Sequence, residues 1–203
     1  MATTIGLYYS GSCQQRFHYR YGGDVNSDGA TQDIIYIPKD PSEIKFVEGY
    51  KSGGVTYTAQ QQSDAFFAFV KNDKYLSKHQ GQYMERYGAV LPWTHQVDLR
   101  LLQDFKLKTG SKTHTLQVSA DLTNLLNFIN KEWGYNYLMT YGSFQDQALL
   151  GLPSASNNTG GENFNQANPK FTFNPSGPTK DFQPNYSIFS TWGLTLGVRY
   201  IFN

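Results

Sequence analysis

The chain has 203 residues, with 17 basic and 16 acidic side chains and a formal net charge of +1; no long run of one sign occurs, which excludes a strong electrostatic pull on nucleic acid. Its single cysteine, Cys13, excludes an internal disulfide framework, and no stretch approaches 18 consecutive apolar residues, so no transmembrane helix is expected. Aromatics at 16% and 19 glycines favour β-structure with long loops, and a mean hydropathy of −0.52 fits half-apolar barrel strands as well as a soluble protein.

The opening, Met1-Ala-Thr-Thr-Ile-Gly, has no basic segment followed by an apolar one and does not read as a signal peptide. The chain is then either cytoplasmic or the remainder of a longer one. Residues 2–22 read as one long strand, with Ile5, Leu7 and Tyr9 on one face and a bulge at Gly11-Ser12. Further along, Phe17, Tyr19 and Tyr21 alternate with Arg16, His18 and Arg20, a basic face suited to a watery lumen or to a solvated sheet surface.

Residues 23–90 read as a long insertion. It opens with Asp24-Val25-Asn26-Ser27-Asp28-Gly29, which has oxygen ligands at loop positions 1, 3 and 5 and glycine at 6, the front half of a calcium loop. Ile35 stands where a bidentate Glu is required, and Asp33 is the substitute, giving Asp24, Asn26, Asp28 and Asp33 as a candidate structural Ca2+ site; an Asx-rich turn is the alternative. Ile34 to Ile37 reads as a short strand, Pro38 as its stop, Gly53-Gly54 as a turn. Ser63 is expected to cap a helix carrying Phe66, Phe67, Phe69 and Val70, with another turn or two from Asp73 through Leu76 to about Gly81. These aromatics and Tyr75 suit a packed loop core, or cover for a ligand.

A long hairpin follows. Val97, Leu99, Leu101, Phe105 and Leu107 face one way, breached by Gln103, against Asp98, Arg100, Asp104, Lys106 and Lys108 on the other. After the turn Thr109-Gly110-Ser111-Lys112, the residues Leu116, Val118, Ala120 and Leu122 continue the apolar face. Residues 151–187 are rich in Asn, Gly, Pro and Ser and read as exposed loop, with a short strand at Lys170 to Phe173. The last strand puts Trp192, Leu194, Leu196, Val198, Tyr200 and Phe202 on one face, and Gly193, Thr195, Gly197, Arg199 and Ile201 on the other. From Trp192 to Phe202 it climbs about 25 Å, at roughly 3.3 Å per residue and a tilt of about 40°. That is the height of the lipid-facing band of an outer-membrane barrel, although a half-buried sandwich strand alternates in the same way.

The order of these elements carries a resemblance. Leu91 to Arg100 with its Asp-Leu-Arg strand, the segment Leu116 to Asn127 ending in the Asn-Leu-Leu-Asn strand, and the terminus Arg199-Tyr-Ile-Phe-Asn203 resemble the C-terminal end of TonB-dependent outer-membrane receptors. The likeness is to those whose full-length forms carry an N-terminal carboxypeptidase-regulatory-like domain. The resemblance implies an all-β fold. Residues 1–203 would be an antiparallel transmembrane β-barrel fragment, about the last four strands of a 22-stranded barrel. Long extracellular loops would span 23–90 and about 140–188, with a short helix in one of them. Residues 2–22 and 113–124 would ascend, 93–108 and 189–203 descend. Trp192, Leu194, Leu196, Val198, Val97, Leu99, Leu101, Leu116, Val118 and Leu122 would face outer-membrane lipid, and Tyr200 and Phe202 would present the signal read by the barrel-assembly machinery.

The same resemblance implies location in the cell outer membrane and energised uptake of a large or scarce solute. The plug, the remaining strands and the segment contacting the TonB complex lie outside this chain, and the piece is expected not to transport alone. The competing expectation is a soluble extracellular calcium-binding β-sandwich, with carbohydrate as a conceivable ligand. His18, His79, His95 and His114 show no paired ligand spacing, no phosphate loop or nucleophile elbow occurs, and no enzyme is expected.

Overall fold

The computed structural model describes residues 1–13, 15–143, 146–180, 182–188 and 190–202. In chain order the strands are β1 (Ala2–Cys13), β2 (Arg16–Tyr21), β3 (Tyr36–Ile37), β4 (Tyr50–Ser52), β5 (Val55–Tyr57), β6 (Gln82–Tyr83), β7 (Ala89–Val90), β8 (Trp93–Thr109), β9 (Lys112–Thr123), β10 (Tyr137–Met139), β11 (Gly142–Ser143), β12 (Asp146–Leu150), β13 (Phe182–Pro184) and β14 (Gly193–Phe202). Two helices accompany them, α1 (Ala59–Asn72) and α2 (Leu125–Ile129). The chain divides into two compact units, one made of Met1–Gln14, Pro92–Leu138 and Pro184–Asn203, the other of Gln15–Leu91 and Met139–Gln183.

The first unit is built on a four-stranded sheet in the order β1-β8-β9-β14, antiparallel throughout. Its strands run to 12, 17, 12 and 10 residues, about twice or more the usual five or six. Gly110, at φ +63°, closes the tight turn between β8 and β9. The ladders are staggered. Ala2 lies opposite Asp104, so β8 runs on from Phe105 to Thr109 beyond the end of β1. At the other end β9 stops at Thr123, while β8 extends back to Trp93 beside Cys13. Such stepping tilts strands relative to the axis about which a sheet curls. Among the described residues the sheet does not close: β1 pairs only with β8, and β14 only with β9.

The second unit has an aromatic core. Phe17, Tyr19, Ile35, Ile37, Phe66, Leu76 and Leu150 are fully buried, joined by Phe46, Phe69, Phe171 and Phe173. Its main sheet runs β11-β12-β2-β7, with β12 parallel to β2, an exception to the otherwise antiparallel ladders. Around it sit the hairpin β4–β5, turned by Gly53 and Gly54 at φ +58° and +80°, and the pair β3–β6. Tyr19 reaches across the core and donates to Asp73 Oδ2 at 2.6 Å. Asp73 Oδ1 in turn accepts the backbone N–H groups of Tyr75 and Leu76, which ends α1 and starts the 3-10 turn Leu76–Lys78.

Several expectations need correction. Residues 2–22 are not one strand. Register holds through Gly11 and Ser12 without a bulge, β1 ends at Cys13, position 14 lies outside the described residues, and Arg16–Tyr21 joins the other unit's sheet. A Cβ at Gly11 would meet only the exposed Tyr9 side chain, its hydroxyl at 2.5 Å. The expected basic face of β2 is solvated only at Arg16, since His18 is buried and Arg20 pairs with Asp146 at 2.5 Å.

The helix begins before Ser63, which lies buried inside it. Thr58 is the N-cap, in a reciprocal capping box with Gln61. Residues 170–173 form isolated bridges to Phe46 and Gly151 and no strand. The Asn-Leu-Leu-Asn segment is also no strand: Asn124 turns left-handed at φ +52° and α2 follows. The last strand begins at Gly193; positions 189 and 203, which the expected strand included, lie outside the described residues.

His18 gives this unit a pH dependence. Burial holds its imidazole below the ordinary value, with Asp146 pulling upward and Arg86 and Arg20 downward. The unfolded chain therefore takes up a proton at about pH 6.5 that the folded chain refuses. The stability contributed by neutral His18 is complete above that pH and falls as acid is added below it. Thermal melts across pH 5 to 8 are expected to show this decline below about pH 6.5, and His18→Phe to flatten it.

Candidate functional site

The register of the four-stranded sheet brings the predicted apolar residues onto one face. Leu7, Leu99, Leu122 and Leu194 form one cross-strand row; Ile5, Leu101, Ala120 and Leu196 form the next. Val118 and Val198, then Phe105, Leu116 and Tyr200, then Leu107, His114 and Phe202 continue it toward the tight turn, while Tyr9 and Val97 extend it the other way. Gln103, the one polar residue expected on β8's side of this face, stands opposite Thr3. The Thr3 hydroxyl donates to Gln103 Oε1 at 2.6 Å, and Gln103 Nε2 donates to the Ala2 carbonyl at 3.1 Å, so the breach is closed internally.

This face is exposed. Nine of its aliphatic side chains are more than a third accessible, from Val118 at 37% to Val198 at 74%. Burying a Leu or Val fully is worth roughly 1.5–3 kcal/mol, so leaving nine half in water forgoes on the order of 10 kcal/mol. A whole domain is stable by only about 5–15 kcal/mol. The face therefore requires a cover.

Aromatic residues bound the face at both ends. At the Trp93 end, Tyr9 Oη and His95 Nδ1 are 2.8 Å apart, Trp93 stacks on His95, and Phe128 meets Trp192 edge-on with ring centroids 5.1 Å apart. At the turn end, His114 Nδ1 lies 2.5 Å from Tyr200 Oη with the rings stacked, and Phe202 packs beside Tyr200. Each edge strand is thus tied to the central hairpin by one Tyr–His pair, at opposite ends of the sheet. The expected assembly-signal residues Tyr200 and Phe202 both lie on this rim, 58% and 75% exposed.

The opposite face is polar. Arg100 pairs with Asp121 at 3.1 Å, and Gln117 Nε2 donates to Asp104 Oδ1 at 2.9 Å. Where β9 ends, two asparagines do work that sequence reasoning missed. The backbone N–H of Asn124 donates to Asp98 Oδ1, and its side-chain amide donates to the carbonyls of Gly134 and Ser190, each at 2.9 Å. The Asn127 amide donates to the carbonyls of Lys131 and Trp133 and accepts from the Trp192 backbone N–H. Two Asn at a strand end followed by a loop were visible in the sequence as the signal for such a knot, since Asn tolerates the left-handed region and has both a donor and an acceptor.

In the other unit, the calcium-like loop folds on itself. Asp24 accepts the backbone N–H groups of Ser27 and Gly29, Asp28 that of Ala30, and Asp33 that of Val25. The Asn26 amide donates to Asp28 Oδ2 at 3.0 Å and to Asp33 Oδ1 at 3.3 Å, which joins three of the four expected ligands directly, while Asp24 bonds only to the backbone of the turn. The N–H of Ala30, and then the Asn26 amide, hold the Asp28 carboxyl below the usual carboxylate range. Among the described residues, no group of three or more His, Cys, Asp or Glu is arranged to hold a metal ion. Phe66 and Phe69 are core residues, with Phe67 and Tyr75 packed against that core. His79 stacks on Tyr75.

No protein-family model matches the chain, and no curated protein or solved structure is significantly similar to it.

Replacing Asn124 removes two hydrogen bonds and a tolerated left-handed residue together. Asn124→Ala is expected to destabilise the sheet unit by about 2–4 kcal/mol and Asn124→Gly by less, because glycine keeps the backbone geometry. Urea unfolding in detergent micelles distinguishes the two.

Proposed function

We propose that this chain is the C-terminal part of a TonB-dependent outer-membrane receptor, its four long strands forming part of the lipid-facing wall of a larger barrel. The observation that carries this reading is the exposed apolar face, continuous across four staggered strands, bounded by aromatics at both ends and backed by a polar face. Lipid is the cover that such a face calls for. Connectivity supports it as well. At one end of the sheet β8 and β9 meet in a tight turn, while the connections at the other end are long, as in barrels with short periplasmic turns and long extracellular loops. The unpaired outer edges of β1 and β14 would be completed by the remaining strands, since open edges do not persist in lipid. The receptor would take up a large or scarce solute with energy delivered through the TonB complex, and the plug and TonB-contacting segment belong to sequence beyond these residues.

A soluble calcium-binding sandwich fits less well, because a second sheet would cover the side chains that stand exposed here. Calcium is retained within the main reading. Asp28 and Asp33 both accept from the Asn26 amide and Asp24 holds the backbone of the same turn, with no salt bridge to any of the three carboxylates among the described residues. A bound Ca2+ would stiffen this loop on the outer side of the membrane.

Adjacent residues on β14 separate the alternatives. In a vesicle-flotation assay, Leu196→Arg is expected to lower the membrane-bound fraction sharply, since a cation on the lipid face costs about 2–4 kcal/mol near mid-membrane. Thr195→Arg, on the polar face, is expected to leave it nearly unchanged. Equal effects, or a wild-type chain that stays with the aqueous fraction, would sink the membrane reading. For the loop, Asp28→Ala is expected to abolish calcium-dependent protection from protease, and equal cleavage of the wild type with and without calcium would remove calcium from the account.

A further inference from the structure

The apolar surface does not stop where the strands do. Beyond the Trp93 end of the sheet, Phe128, Ile129 and Trp133 stand 55%, 63% and 50% exposed in the segment that follows β9, and Trp192 is 46% exposed. They are continuous with the strand face through the Phe128–Trp192 ring contact and the row beginning at Leu194. All three tryptophans of the chain, Trp93, Trp133 and Trp192, lie in this region. Tryptophan favours the level of lipid headgroups, where one side of the ring is apolar and the N–H is wet.

A second observation concerns the backbone. Irregular chain next to lipid needs its polar groups satisfied from within. The α2 segment meets much of that demand, although Asn124 Oδ1 is buried without a partner. The carbonyls of Lys131, Trp133 and Gly134 are taken by the amides of Asn127 and Asn124, and the N–H groups of Asn130 and Trp133 go to the carbonyls of Leu126 and Asn130. Hydrogen bonding is turned inward while the large apolar side chains are turned out.

We infer that Leu125–Trp133, together with Trp192, is an interfacial anchor that sits in the bilayer at the boundary between headgroups and acyl chains. The inference rests on the membrane reading above and extends the lipid-contacting surface to a segment outside the strands. Its function is to fix the depth of the wall in the membrane, with the asparagine knot holding α2 at the height of the rim.

The chain's own tryptophans are the probe. The full chain carrying Trp93→Phe and Trp192→Phe retains Trp133 alone, and is reconstituted in vesicles of phosphatidylcholine brominated either near the headgroup or near the chain end. Blue-shifted Trp133 emission, quenched more by the shallow bromine than by the deep one, is the expected result. A second variant, Leu196→Trp with all three native tryptophans changed to Phe, reports the strand face and is expected to be quenched more by the deep bromine. Quenching at position 196 without quenching at Trp133 would overturn the anchor and leave the membrane reading standing. Deep-bromine quenching stronger than shallow at Trp133 would also overturn it. Quenching at neither position would overturn both.

Discussion

The cost of the uncovered apolar face governs everything else in this chain. Its exposed aliphatic side chains represent an unfavourable term comparable to the stability of an entire domain. Within the sheet, the side chains are arranged so that most of this cost falls on one side, although Tyr8 and Ile201 are exposed on the opposite face. The Arg100–Asp121 and Asp104–Gln117 pairs occupy the other, and even Gln103 is neutralised by its partner Thr3 before it reaches the outside.

The second unit follows the opposite rule. Its aromatics point at one another, with Phe66 and Phe69 each against Phe173 and Tyr21 stacked on Phe171. Some of its buried polar groups are bonded in the core, as Tyr19 is to Asp73 and the Gln62 amide is to the Val47 carbonyl, while His18 Nδ1 and Gln147 Nε2 are buried without a hydrogen-bond partner. Two stretches far apart in sequence, 15–91 and 139–183, supply this core jointly. The two are joined in one sheet: β2 from the first stretch lies between β7 and β12, and β12 comes from the second.

Much of the sheet was legible because alternation in a strand has a period of two, and parity survives errors in the strand ends. Every residue assigned to the apolar face of the hairpin and the last strand falls on it. Parity says which residues share a face and is silent about what lies against it, which is why His18 and Arg20 misled: a buried histidine and a paired arginine alternate with the exposed Arg16 as a solvated row does. The α1 start was written in Thr58-Ala-Gln-Gln61, a capping box, but Ser63 stands closer to the aromatics and drew the boundary inward. The knot of Asn124 and Asn127 depends on partners up to 66 residues away, such as Ser190, and no local pattern announces those.

The two free edges carry a counting rule. Because β1 opposes β8, β8 opposes β9 and β9 opposes β14, the outermost strands β1 and β14 point in opposite directions. Any set of strands that bridges them through antiparallel ladders alone must be even in number, whatever its source. An odd complement would force a parallel seam somewhere around the ring, with slanted hydrogen bonds where the others run straight across.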